Sequence, residues 1–256
     1  MLMPIMCTQC AEDLVTGAGS IPEGGLELET KVVPVQTVGL YRTVCGQGHH
    51  VVMVADFQQF ELLFESALEA FTDTYFREAV SSFAAALERY YEFAVRTLLV
   101  EQGVSVEKMI VSWKSVAKQS ERQLGMFVGL YTAAYGAPPK ILSNDEVSFR
   151  NNVIHNGHFP TVNEAFEFGQ TVYKLLYEGV KELRTHFHDS MQEARDITRQ
   201  RAYAGLKVGE QPVQFAMGTT ISLLVLGEPL PMLDAINAVA ERLGRQRASS
   251  IPKKKS

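Results

Sequence analysis

From about Asp56 onward, apolar residues recur at every third or fourth position, and this spacing most constrains what the chain can fold into. "FQQFELLFESALEAF" and "YFREAVSSFAAALERYYEFAVRTLLVEQG" place Ala, Leu, Glu and Phe so that one stripe of each segment is apolar. That pattern fits an amphipathic helix and is incompatible with the two-residue alternation of a strand. Gly103 marks a stop. "VEKMIVSWKSVAKQSERQLGMFVGLYTAAYG" reads as one interrupted helix or two, ending at Gly136 before "APPK". Phe83, Tyr90, Tyr91 and Phe93 form an aromatic stripe expected in the core.

The next two helix starts are written into the sequence. Ser143 followed by Glu146, in "SNDE", and Thr161 followed by Glu164, in "TVNE", both have the form of a capping box. Asn156-Gly157 supplies a left-handed stop. These signals predict a short helix over about 144–156 and a long one from about Val162 toward Arg201. The last part of the long one, "HFHDSMQEARDITRQRAYAG", is mostly polar and is expected to project from the body or fray. Residues 205–228 are compatible with a hairpin or a buried helical turn. "PMLDAINAVAERLG" predicts a final amphipathic helix.

Before Asp56 the grammar is different. All three cysteines lie there: Cys7 and Cys10 in "CTQC", and Cys45 in "CGQGHH". Two thiols separated by two residues can grip one ion from a tight turn. Cys45 with His49 or His50 would complete a tetrahedral set. The segments between, "LELETKVVPVQTVGLYRTV" and "HHVVMVADF", are rich in β-branched residues and predict a short meander of the zinc-ribbon type. A structural zinc held by Cys7, Cys10, Cys45 and a fourth ligand taken as His49, with His50 left open, is expected, against free thiols or a Cys7–Cys10 redox pair. The fold class that follows is mainly α: a helical bundle with a small N-terminal β element. The expected domains are a zinc-ribbon-like element over 1–55, a helical domain over 56–204, and an extension over 205–256 with a final helix and a basic disordered tail.

Charge narrows the partners. The net charge is −5, yet the residues from Arg242 onward carry +6 and no acid, leaving −11 on the rest. An acidic body argues against sequence-blind coating of nucleic acid, which depends on phosphate neutralisation. It leaves room for a local RNA-cleaving pocket. The "IPKKKS" tail is expected to be solvated. No apolar run reaches the roughly 18–20 residues of a membrane helix, and "MLMPIMCTQC" lacks the pattern of a signal peptide, so a cytoplasmic location and no membrane partner are expected. The chain shows no internal repeat, no Gly-rich phosphate loop, no nucleophile elbow and no carboxylate cluster suited to Mg²⁺.

Within the short capped helix, "RNNVIH" places Arg150, Asn151 and His155 together. The spacing alone says little, because 13 arginines and six histidines produce such matches by chance; Arg42 and His49 are a similar pair. At roughly 100° per residue, Arg150 and His155 sit about 140° apart around the helix, whereas Asn151 and His155 share a face. A symmetric dimer would bring two copies of the set into one cleft. The chemistry suits RNA cleavage by attack of its own 2′-OH. Histidine titrates near neutrality and can act as acid or base; arginine offers a permanent, forked donor to phosphate oxygens. Such a scheme needs no metal for catalysis.

Arg150, the polar Asn151 and His155, set in this helical frame, resemble the motif of the HEPN (higher eukaryotes and prokaryotes nucleotide-binding) family. The likeness covers about residues 57–200 and leaves out the cysteine-bearing region and the last 50 or so residues. It implies a helical bundle and a metal-independent endoribonuclease whose composite site forms in a homodimer. It also implies a toxin or antiviral defence role, with an antitoxin or defence protein as a possible partner. In some members a tyrosine two residues after the histidine is adenylylated; here that position is Gly157. His158 is a further candidate for contacting RNA, Glu146 is expected to cap its helix, and His186 and His188 to be solvated. The alternative expectation is a non-catalytic HEPN module that binds RNA or protein.

Overall fold

The computed structural model describes residues 1–18, 30–216, 218–224 and 227–244. The fold is mainly α with a small β element at the N-terminus. It divides into two compact units: Met1–Phe57 with Ile197–Met217, and Gln58–Asp196 with Gly218–Ser256.

The first unit opens with β1 (Leu2–Met6), α1 (Thr8–Ala18) and β2 (Thr30–Pro34). β1 and β2 pair antiparallel, from Leu2 opposite Pro34 to Met6 opposite Thr30. A second sheet contains the hairpin of β3 (Leu40–Val44) and β4 (His50–Ala55), with the short β5 (Val213–Phe215) parallel to β4. Alternation decides which side chains enter: Met3 and Ile5 are buried while Leu2 and Met6 are exposed. Met3, Ile5, Tyr41, Val51 and Met53 make the core with Cys7 and Cys45. Arg42 clamps the returning chain through a forked pair of bonds to Glu210, at 2.6 and 2.8 Å.

In the second unit, α2 (Gln59–Thr72) lies against α3 (Phe76–Glu101) through Phe60, Phe64, Phe83, Tyr90 and Phe93. The expected aromatic stripe is indeed core. α4 (Val106–Val116) and α5 (Ser120–Tyr135) are two helices, the second closed by Gly136 in the left-handed region. α6 (Asn144–His155) and α7 (Val162–His186) both begin with complete capping boxes, at Ser143/Glu146 and Thr161/Glu164.

The expected single long helix is instead divided at Phe187, whose backbone leaves the helical region at φ −136° and ψ 42°. Its ring meets that of Tyr135 edge-on, at 5.3 Å. α8 (His188–Tyr203) then restarts and does not fray or project: Met191 and Ala194 are fully buried. Small apolar residues at helical spacing are enough to bury one face of a polar helix. Its residues from Ile197 belong to the first unit.

Residues 205–228 form neither a hairpin nor a helical turn among the described positions. Val213–Phe215 adds to the first unit's sheet, and the chain then returns along α2. Glu61 accepts the amide of Leu223 at 2.8 Å, while Glu65 accepts the amide of Thr220 and, at 2.9 Å, the guanidinium of Arg242. Both carboxylates are buried, and these bonds are what make the burial tolerable. α9 (Met232–Arg242) is the expected final amphipathic helix, burying Met232, Leu233, Ile236 and Val239. The basic tail lies outside the described residues.

Candidate functional site

Two of the three stretches singled out by sequence come together in the first unit. "CTQC" is not the tight turn of a ribbon. Cys7 follows β1 directly, its carbonyl accepts the amide of Ala11, and Cys10 sits in the first turn of α1. The opposing turn joins β3 to β4: Gly48 donates to Cys45, and Cys45 donates to His49. Gly48 adopts φ +86°, a conformation that favours glycine. This turn carries the His49 ring inward and leaves His50 exposed at the start of β4.

The ligand atoms of Cys7, Cys10, Cys45 and His49 all lie within 4.8 Å of one another. Cys10 Sγ is 3.6 Å from Cys45 Sγ and 3.3 Å from His49 Nδ1, and Cys7 Sγ is 3.7 Å from the same nitrogen. A tetrahedral ion with the metal–sulfur and metal–nitrogen lengths of zinc sites would separate two sulfurs by about 3.8 Å, and sulfur from nitrogen by about 3.6 Å. The observed spacings lie within a few tenths of an ångström of both. These four residues could hold a metal ion.

The environment differs around each thiol. Burial, with hydrogen bonds to Cys7 and Cys45, pushes the Cys10 thiol up to about 12. Burial acts against ionisation of Cys45 too, but the amides of His49 and Gln47 outweigh it and bring that thiol down to about 7. One residue went unnoticed in the sequence. Asp13 lies on α1 three positions after Cys10, hence on the same face. Its Oδ2 is 3.7 Å from His49 Nε2, the ring nitrogen that points away from the thiols. Closed to hydrogen-bond distance, a carboxylate in this place would fix the orientation and tautomer of a ligating histidine. Spacing would have revealed it had "CTQCAED" been read as helix.

α6 belongs to the second unit. Glu146 caps it: its carboxylate accepts both the amide and the hydroxyl of Ser143, at 2.7 and 2.8 Å. At the other end the amides of Asn156 and His158 both donate to the Asn152 carbonyl, and Gly157 takes φ +73°. Val153 is the buried anchor.

Arg150 points toward α3. Its Nη1 is 3.6 Å from Glu88 Oε1, and its Nε is buried without a hydrogen-bond partner. Burial pushes the hydroxyl of neighbouring Tyr91 up, partly offset by the arginine's charge. His155 is exposed, and Asn151 is half-buried. No hydrogen bond or ion pair joins Arg150 to His155 within the chain, as their angular offset implies. His158 does not face them either: it lies 3.5 Å from Glu164 and edge-on to Phe149. His186 and His188 are exposed. Glu88, 62 residues from Arg150, carried no sequence signal of its role. No known protein family, curated protein or solved structure matches the chain. Among the described residues, no helix is long and apolar enough to cross a membrane.

Proposed function

We propose that the protein is a metal-independent endoribonuclease of HEPN type that works as a homodimer, with a structural zinc in its N-terminal unit. The observation that carries the reading is the "RNNVIH" helix. It is capped at both ends and anchored by Val153, with an arginine held against α3 and a histidine open to solvent. His155 would act as acid and base, Arg150 would stabilise the phosphate's growing charge, and Asn151 would orient the histidine or the phosphate. Because Arg150 and His155 diverge on one helix, the site takes them from two chains. RNA is the substrate, and a toxin or antiviral defence role in the cytoplasm, under control of an antitoxin or defence partner, follows from the resemblance. Three thiols and an imidazole suit zinc in a closed site that supports the fold and takes no part in catalysis.

Incubation of RNA with the protein in Mg²⁺-free buffer tests the reading. Wild type is expected to leave 2′,3′-cyclic phosphate ends. His155→Ala and Arg150→Ala should each be inactive alone, and mixing them should restore cleavage by pairing one intact histidine with one intact arginine. RNA left equally whole by wild type and His155→Ala would overturn it. A specific observation favours a second reading, a non-catalytic adaptor: Glu88 already occupies Arg150, competing with phosphate. RNA or protein binding that survives His155→Ala, without cleavage by wild type, is the expectation of that reading.

A further inference from the structure

A cavity of about 200 Å³ opens among α3, α5 and α7, apart from the residues of the motif helix. Aromatic rings from two helices line it: Tyr90 and Tyr91 from α3, Phe127 and Tyr131 from α5. Tyr91 and Phe127 are stacked at 4.6 Å, and Phe127 stands 6.1 Å from Tyr90 and 5.6 Å from Tyr131. Glu178 and Glu182 enter from α7, one turn apart and so on one face. Lys140 also lines the space, but its ammonium is 2.9 Å from Glu178 and its side chain is 78% exposed. Glu182 accepts the hydroxyl of Tyr131, at 2.5 Å, and forms no direct ion pair, though its charge also acts on the Lys140 ammonium. The lining therefore holds two carboxylates against one ammonium.

Gly179, between the two glutamates, keeps the floor in place. A Cβ there would lie 2.1 Å from the Tyr90 hydroxyl, so any side chain would displace that ring. Tyr90 itself is only 3% exposed. The space is smaller than the roughly 300–1,000 Å³ of pockets for drug-sized ligands, which suits a head group and not a nucleotide chain. The net negative lining disfavours phosphate. A bare metal ion would find two carboxylates already engaged by Lys140 and Tyr131, short of the six or more oxygen ligands a hard cation takes. Electron-rich rings beside a carboxylate that forms no direct ion pair favour a weakly hydrated organic cation.

We infer that this cavity binds an alkylated ammonium group, held against Tyr90, Tyr91, Phe127 and Tyr131 with Glu182 as its counter-charge. Calorimetric titration of the full chain with choline, and with its neutral isostere 3,3-dimethylbutan-1-ol, tests this. Choline is expected to bind about tenfold more tightly than the alcohol. Glu182→Gln should abolish that preference while leaving the alcohol's affinity unchanged, and Lys140→Ala, which frees Glu178, should strengthen choline binding several-fold. Gly179→Ala should block both ligands. If that variant does not fold, Glu182→Gln, which keeps the side chain's shape and its acceptor for Tyr131, decides alone. No choline binding at tens of millimolar, equal affinity for the two probes, or tighter binding of inorganic phosphate than of choline would each overturn the inference.

Discussion

Replacing Cys10 by serine should unfold the N-terminal unit while sparing the helical one. Among the four candidate ligands, Cys10 lies 3.6 Å from Cys45 Sγ and 3.3 Å from His49 Nδ1. The unit comprises Met1–Phe57 and Ile197–Met217, a size at which a hydrophobic core rarely supplies more than about 3–5 kcal/mol. Its core is small, built around Met3, Ile5, Tyr41, Val51 and Met53. A closed four-ligand zinc site contributes about 10–16 kcal/mol near neutral pH in peptides that fold around it. Losing half of the lower figure already cancels everything the apolar core provides. Elemental analysis should find about one zinc per chain in wild type and almost none in Cys10→Ser. Hydrogen exchange followed by mass spectrometry should show β3 and β4 losing protection while α2 and α3 keep theirs. A wild type without zinc, or a Cys10→Ser variant with unchanged protection across Leu40–Ala55, would refute the reasoning.

Two further outcomes concern carboxylates. Glu65→Ala removes the buried acceptor of the Thr220 amide and leaves Arg242, which is partly exposed, with Glu69 alone at 3.9 Å, so it should cost about 1–3 kcal/mol and lower the melting point of the helical unit by about 2–12 °C; a shift under about 1 °C would refute the clamp. Glu210 titrates at about 2, held down by hydrogen bonds from Arg42 and then by the Lys207 amide, with burial acting weakly against them. A carboxylate depressed on folding contributes stability that is fully present above its unfolded value and is lost as pH falls toward the folded one. Between about pH 4.5 and 2 wild type should therefore lose stability faster than Glu210→Gln, and added salt should narrow the gap because the pair is partly exposed. Parallel acid-denaturation curves for the two proteins would contradict this.

What the sequence made legible was local. Both capping boxes, the Asn156-Gly157 stop and the aromatic stripe of α3 rest on residues within one or two turns of each other, and each formed as the spacing demands. "CTQC" defeated the same logic because an i, i+3 pair of thiols is compatible with a tight turn and with the first turn of a helix; only β1 entering directly before Cys7 decides between them. "HFHD" carries no Gly or Pro to announce the break at Phe187, whose ring meets Tyr135, a residue distant in the chain. β5 is three residues long and exists because β4 offers it an edge. For the candidate site, the four clustered ligands were visible and the choice between His49 and His50 was not, since it turns on which way one hairpin carries its last residue. Arg150 was visible as a residue type, but its ion pair with Glu88 joins two helices and leaves no local trace.

The clamp on α2 also sets a clock for biosynthesis. Glu65 lies 177 residues before Arg242, its charged partner. At the roughly 5–20 residues per second of translation, about 9 to 35 seconds separate the two residues at the ribosome. During that interval a carboxylate destined to be fully buried stands uncovered, on a helix whose Phe60, Phe64 and Phe71 already seek α3. The nascent bundle must either stay loose until α9 emerges or bury an unpaired acid, and the second course is the more costly. Complete, ion-paired burial of Glu65 is thus expected only after translation has passed Arg242.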